Sequence, residues 1–108
     1  PIPVDLTAMP DERLPASVEA AAYFVVAESL TNVAKYAHAA RASVSVARDD
    51  GFAVVEVRDN GVGGADPRAG TGLRGLADRI AALDGRLEVH SPPGEGTIVR
   101  ANIPCGSS

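Results

Sequence analysis

Glu28, Asn32 and Lys35 lie in the segment AESLTNVAKYAHA, residues 27–39. On a helix turning about 100° per residue they fall within roughly 60° of one another, beside an apolar stripe. A carboxylate, an amide oxygen and an ammonium on one helical face can assemble a hard metal ion, its water shell and an anionic ligand. Mg2+ suits such a set, because it prefers oxygen ligands and takes few of them from protein. The plainer alternative is a solvated face carrying a Glu/Lys pair, although Glu28 and Lys35 stand two turns apart and not the favoured single turn.

A second group begins in VEVRDNGVGGAD, residues 55–66. An apolar strand ends there in Asp59 and then breaks into glycines. A buried carboxylate must be paired or hydrogen-bonded to stay charged. The exocyclic amino group of adenine, a ring nitrogen reached through water and a hydroxyl such as Thr97 would together satisfy it. Glycines 61, 63 and 64 would let the backbone run flat under a purine ring. The alternative is a hairpin corner, since Asn-Gly is a strong turn signal. No strand follows at hairpin distance, however.

The third group is GTGLRG, residues 70–75. It matches G-x-G-x-x-G, but the preceding strand ends far upstream at Asp59, so a dinucleotide-binding βαβ unit is not indicated. No G-x-x-x-x-G-K-[ST] loop occurs. What remains is general: backbone N–H groups at a helix N-terminus, cleared of side chains by glycine, form an anion site.

These groups need elements to hold them. PIPVDL reads as a short edge strand, where its prolines are tolerated, and MPDERLPA as a loop. From Ser17 to about Tyr36 the pattern predicts a helix with Ser17 as N-cap and Glu19 in its first turn. Its capping box is incomplete, with Ala20 at the third helical position. Val18, Ala22, Val25, Val26, Leu30, Val33 and Ala37 form its apolar stripe. ASVSVAR (42–48) and FAVVEVRD (52–59) alternate with period two around Asp49-Asp50-Gly51, a hairpin. NGVGGADPRAGTG is a long loop of the kind that is functional or mobile in a small domain. LRGLADRIAALD is a second helix with Leu73, Leu76, Ile80 and Leu83 on one side and Gly85 as its C-terminal glycine. RLEVHS and TIVRANIP flank a PPGEG turn as two more strands. The order β, α, ββ, loop, α, ββ predicts an α+β sandwich, one mixed sheet covered on one face by helices.

Size and composition agree with one such domain over residues 1–108. Apolar residues make up 45% of the chain and charged residues 22%, which excludes a disordered composition. A formal charge of −4 without a basic cluster argues against a nucleic-acid partner. The single cysteine, Cys105, has no internal disulfide partner. The longest apolar run, AAAYFVVA (20–27), is too short to cross a bilayer, so no direct membrane contact is expected. With no signal-peptide pattern at the start, the expected setting is cytoplasmic. The opening PIPVDL lacks Met, which suggests a fragment of a longer protein.

Taken together, Glu28-x-x-x-Asn32, Asp59-Asn60-Gly61-Val62-Gly63, Gly70-Thr71-Gly72-Leu73 and Gly94-Glu95-Gly96-Thr97 resemble the four boxes of the GHKL ATPase superfamily. That superfamily holds gyrase-type topoisomerases, heat-shock chaperone ATPases, mismatch-repair ATPases and histidine kinases. The resemblance spans about residues 15–104. Within it, LTNVAKYAHA and GLRGLADRIAALDGRLEVHSPPGEGT look most like the ATP-binding domain of bacterial sensor histidine kinases. The subclass is the short-lid one paired with helix-turn-helix response regulators. Tyr36 stands where many members carry His, and no Phe-containing box lies between Gly64 and Gly70.

The resemblance implies a two-layer α/β sandwich of the Bergerat type that binds ATP and Mg2+. It implies that Asp59 hydrogen-bonds the adenine amino group, with Thr97 assisting through water and Gly61 and Gly63 beneath the base. Asn32 would ligate Mg2+, Glu28 would hold a metal-bound water or polarise a nucleophile, and Lys35 would meet a phosphate. Gly70, Thr71, Gly72, Leu73 and Gly75 would bring the second helix's N-terminus to the phosphates, and GGADPRAGT would form the lid. The implied activity is transfer of the γ-phosphoryl group of ATP to a histidine on a separate dimerisation domain of the same parent protein. A cognate response regulator would act downstream. Neither His38, at a helix end, nor His90, on a strand, lies in a dimerising hairpin, so the isolated domain is expected to turn over slowly at best. An anti-sigma-factor-type serine kinase, or a nucleotide-responsive binding module without catalysis, are the alternative readings.

Overall fold

The computed structural model describes residues 4–8, 13–34, 41–63 and 72–105. Its elements are β1 (Val4–Ala8), α1 (Ala16–Asn32), β2 (Ala42–Asp49), β3 (Phe52–Asp59), α2 (Leu73–Ala81), β4 (Arg86–His90) and β5 (Thr97–Pro104). The five strands form one sheet in the order β1-β2-β3-β5-β4. β1 runs parallel to β2, and every other pairing is antiparallel. This is the mixed α+β sheet that the element order predicts, with the Pro-flanked β1 at an edge.

The β2–β3 hairpin closes on Asp50 and Gly51, both at positive φ (50° and 83°). Two consecutive left-handed residues match the twist of the flanking strands, which is why Asp-Gly is chosen there. Period two then sorts the side chains. Ala42, Val44 and Val46, then Ala53, Val55 and Val57, then Val99, Ala101 and Ile103 are all buried on one face. Val18, Val25, Leu73, Leu76 and Ile80 of the helices join that core. Fully burying an aliphatic side chain of this size contributes about 1.5–3 kcal/mol each.

Both helices depart from the sequence reading at their ends. α1 begins at Ala16, and Pro15 stands at its N-cap with no side-chain cap bond. The Pro15 carbonyl receives the N–H groups of Val18 (3.0 Å) and Glu19 (2.9 Å), so Ser17 lies inside the first turn and caps nothing. Ala21 and Ser29 join Val18, Ala22 and Val25 on its buried face, while Val26 and Leu30 are only partly covered. α2 ends in a Schellman turn: Asp84 N–H donates to Ala81 O at 2.9 Å and Gly85 N–H to Ile80 O at 3.0 Å. The left-handed residue there is Asp84 (φ 61°), not Gly85. Gly85 is needed for room, because a Cβ on it would lie 2.7 Å from Asn102 O.

The face of the sheet away from the helices carries an ion-pair row. Glu56 and Arg100 are direct cross-strand partners. Arg100 donates to Glu56 Oε2 through Nε (2.9 Å) and Nη2 (2.7 Å), and Arg58 Nε donates to Oε1. Partial burial pushes the Glu56 carboxyl up, but the hydrogen bonds and charges of Arg58 and Arg100 outweigh it and hold the group below its ordinary value. A depressed carboxyl stabilises the fold above the unfolded-state value of about 4.3. That contribution is lost as pH falls through the lower folded value. Wild-type should therefore exceed Glu56→Gln in urea midpoint at pH 7, and the gap should close in acid. The gap should be modest, because Arg58 and Arg100 are well exposed.

Candidate functional site

Asp59 ends β3 on the helix-covered face, between its cross-strand partners Ala42 and Thr97. It is half-buried, and its Oδ1 accepts the Gly61 N–H at 2.8 Å. That bond folds the chain away from the sheet directly after the strand. The other carboxylate oxygen takes no partner among the described residues. The Thr97 hydroxyl shares a 2.6 Å hydrogen bond with Ser91 Oγ. Ser91 carries no sequence signal for this role; only the β4–β5 pairing brings it there.

The loop after Asp59 is locked to the turn between β4 and β5. Gly94 N–H donates to Val62 O at 2.6 Å. Gly63 (φ 67°) presses so closely on this turn that a Cβ would lie 2.1 Å from Pro92 O. Gly96 (φ 77°) would bring a Cβ within 2.2 Å of Asp59 O. On the other side, Asn60 Oδ1 accepts the Arg41 N–H at 2.9 Å, fastening the start of β2. Asp59 therefore sits in a frame fixed from two sides.

The helices bring the remaining groups. Val33, with Leu30 packed alongside, covers Ala42, the cross-strand neighbour of Asp59. The C-terminal half of α1 thus lies at the same end of the sheet as Asp59. There Asn32 is partly buried, and its side-chain nitrogen has no hydrogen-bond partner. One turn earlier, Glu28 meets the start of α2: a Cβ on Gly72 would lie 2.5 Å from Glu28 Oε2. Gly72 (φ 87°) is the N-cap of α2 and makes no side-chain cap bond. At the far end of the same helix pair, the Arg79 guanidinium lies 3.9 Å from the Phe24 ring centroid, so the two helices run antiparallel. Leu73 is 1% exposed and belongs to the core, leaving only its backbone to face a ligand. Above Gly75 there is open space, with no atom within 4 Å of where a Cβ would stand. Lys35, Gly70, Thr71 and most of the expected lid lie outside the described residues, as do Tyr36 and His38.

The assembly thus joins Asp59 and Thr97 at a strand end, Glu28 and Asn32 on α1, and the N-terminus of α2. Helix N-termini attract anions. An amide with an orphaned end fits a ligand that completes its bonding, since turning the amide over exchanges oxygen and nitrogen at constant shape. This is compatible with Asn32 as an oxygen ligand for Mg2+. Among the described residues no three His, Cys, Asp or Glu side chains gather into a metal cluster.

Residues 17–107 match the family described as histidine kinase-, DNA gyrase B-, and HSP90-like ATPase. The chain belongs to that family, and is an ATP-binding domain of the histidine kinase type. Similar curated proteins include the oxygen sensor histidine kinase NreB of Staphylococcus carnosus, 35% identical over 86% of this chain. The signal transduction histidine-protein kinase/phosphatase DegS of Brevibacillus brevis is 33% identical over 86% of it. The chain spans 28% and 25% of those two proteins. Among solved structures, the blue-light activated histidine kinase of Erythrobacter litoralis EL346 superposes with a TM-score of 0.77 and 25% identity. That match covers 94% of this chain and 35% of the kinase. Among the described residues no helix is long and apolar enough to cross a membrane.

Proposed function

We propose that residues 1–108 form the catalytic domain of a longer cytoplasmic or membrane-anchored sensor kinase, the domain itself lying in the cytoplasm. The parent transfers the γ-phosphoryl group of ATP to a histidine on its own dimerisation domain. A response regulator of the helix-turn-helix class then takes the group. The observation that carries this reading is the contact of Glu28 with Gly72, at the same sheet end as Asp59 and Thr97. It joins the carboxylate and amide of α1 to the anion-attracting end of α2.

In this reading Asp59 accepts the adenine amino hydrogen, with Thr97 beside it. Gly61 and Gly63 keep the backbone low beneath the base. The Asn32 amide oxygen would hold Mg2+, and Glu28 would orient water at the metal. Bound Mg2+ supplies charge neutralisation across the phosphates. Lys35, Gly70 and Thr71 complete the phosphate side with Gly72, Leu73 and Gly75, whose backbone N–H groups point along the α2 dipole. Phosphoryl transfer asks chiefly for such positioning and charge stabilisation.

Calorimetry with and without Mg2+ tests the reading. ATP should bind the wild-type domain at least about 10-fold more tightly with Mg2+, an increment of about 1.4 kcal/mol. Asn32→Ala should remove that increment while keeping most of the affinity measured in EDTA. Adding the dimerisation domain in trans should then yield phosphohistidine. Absence of ATP binding with Mg2+ present would overturn the reading.

A further inference from the structure

Ser29 stands out on α1. It is 2% exposed, and its hydroxyl has no hydrogen-bond partner. Helical serines commonly return a hydrogen bond to the preceding turn, as Thr31 does here, donating to Ala27 O at 2.8 Å. Ser29 does not. A buried hydroxyl left unpaired is costly, and alanine would suit this interior helical position better. The neighbouring buried positions Ala21 and Ala22 are indeed alanine. An ordered water or a bound molecule is the kind of partner that would satisfy such a hydroxyl.

Its place in the fold indicates which partner. Ser29 lies one turn after Val25, in the central core, and one turn before Val33, which covers Ala42. It shares their sheet-facing side of the helix, whereas Glu28 turns toward Gly72. Beneath that side β3 runs from Val55 through Val57 to Asp59, all on the helix-covered face. Asp59 brings there a carboxylate oxygen not used by Gly61. No other acidic side chain lies on that face of β3.

We propose that Ser29 is a further positioning residue of the nucleotide site. With an adenine nucleotide bound, its hydroxyl shares one ordered water with the Asp59 carboxylate. The water couples base reading on β3 to the helix that carries Glu28 and Asn32. The Ser29 hydroxyl, the Asp59 carboxylate and a base edge together supply the two to four polar partners that a buried water requires. The proposal rests on the ATP-binding reading above.

The test compares ATP and ADP binding by the wild-type domain, Ser29→Ala and Ser29→Cys, with thermal unfolding of each without nucleotide. Ser29→Ala should bind both nucleotides about 5- to 10-fold more weakly, the effect of one hydrogen bond. Its unfolding temperature without nucleotide should be equal or higher. Ser29→Cys replaces the hydroxyl with a somewhat larger thiol that is only a weak donor, and should lose affinity to a similar extent. Unchanged affinity in both variants would make Ser29 a core residue only and overturn the proposal. A loss confined to ATP would move its action to the phosphates, and would overturn it equally. Failure of the wild-type domain to bind ATP would instead strike the underlying functional reading.

Discussion

Asp59→Asn is expected to weaken ATP binding by about 100-fold, or about 2.7 kcal/mol, without unfolding the domain. The substitution is nearly isosteric. An asparagine can still accept the Gly61 N–H through its Oδ1, the bond that turns the chain at 2.8 Å in the native domain. What changes is the second position of the head group. An acceptor oxygen becomes an NH2 donor, aimed at the donor amino group of adenine. The variant therefore loses a charge-assisted hydrogen bond, worth about 1.5–3 kcal/mol, and opposes two donors. Calorimetry should show the lost affinity, and circular dichroism an unchanged fold. If Asp59→Asn binds ATP like the parent, Asp59 serves the turn alone and the base must be read elsewhere.

The turn role of Asp59 and the base-reading role proposed for it also bear on how far the sequence could be read. Asp-Asn-Gly is a turn signal, which the structure bears out, and in the proposed reading an adenine-reading signal as well; the turn uses one carboxylate oxygen and leaves the other for the base. The hairpin at Asp50-Gly51 and the limits of β3 and β5 were legible because period two and turn chemistry are local. Helix ends were less so. Ser17 is the preferred residue type for an N-cap, yet the Pro15 carbonyl opens the helix two residues earlier in the chain. Gly85 reads as a left-handed terminator, yet Asp84 takes that conformation and Gly85 serves close packing against Ile80 and Asn102.

The site itself was legible as a set of residue types and not as a geometry. Asp59 and Thr97 are cross-strand partners only because β5 inserts between β3 and β4. The Glu28–Gly72 contact likewise follows from the antiparallel helix pair, and nothing in the spacing of those residues implies it. Ser29 escaped the reading because a lone serine in a helix is unremarkable until its burial is known. The apolar stripe read from the sequence passed over it, and only the fold shows it buried between Val25 and Val33. The buried, unpaired hydroxyl is a property of packing.

Gly96→Ala is expected to be strongly damaging for a single-methyl change, destabilising the domain by about 3–5 kcal/mol. Two terms add. The φ of 77° belongs to the left-handed region, where a side chain costs about 1–2 kcal/mol. The new methyl would also sit 2.2 Å from Asp59 O. That oxygen is backbone at the end of a paired strand and cannot swing aside, so the β3–β5 ladder must open to admit the methyl. Gly94 supplies the control. Its φ is 84°, but nothing lies within 4 Å of where its Cβ would stand, so Gly94→Ala should cost only the backbone term. For a domain of this size each kcal/mol moves the unfolding midpoint by roughly 4–5 °C. Thermal unfolding should therefore separate the two variants by about 10 °C or more. Equal midpoints would mean that the approach of Gly96 to Asp59 is not maintained in solution. Because the displaced atom is the carbonyl of Asp59 itself, the Gly96→Ala protein that does fold should also bind ATP more weakly, whereas Gly94→Ala should not. The same close backbone contact thus holds the sheet end together and holds the Asp59 carboxylate, proposed to read the base, in register with the helices.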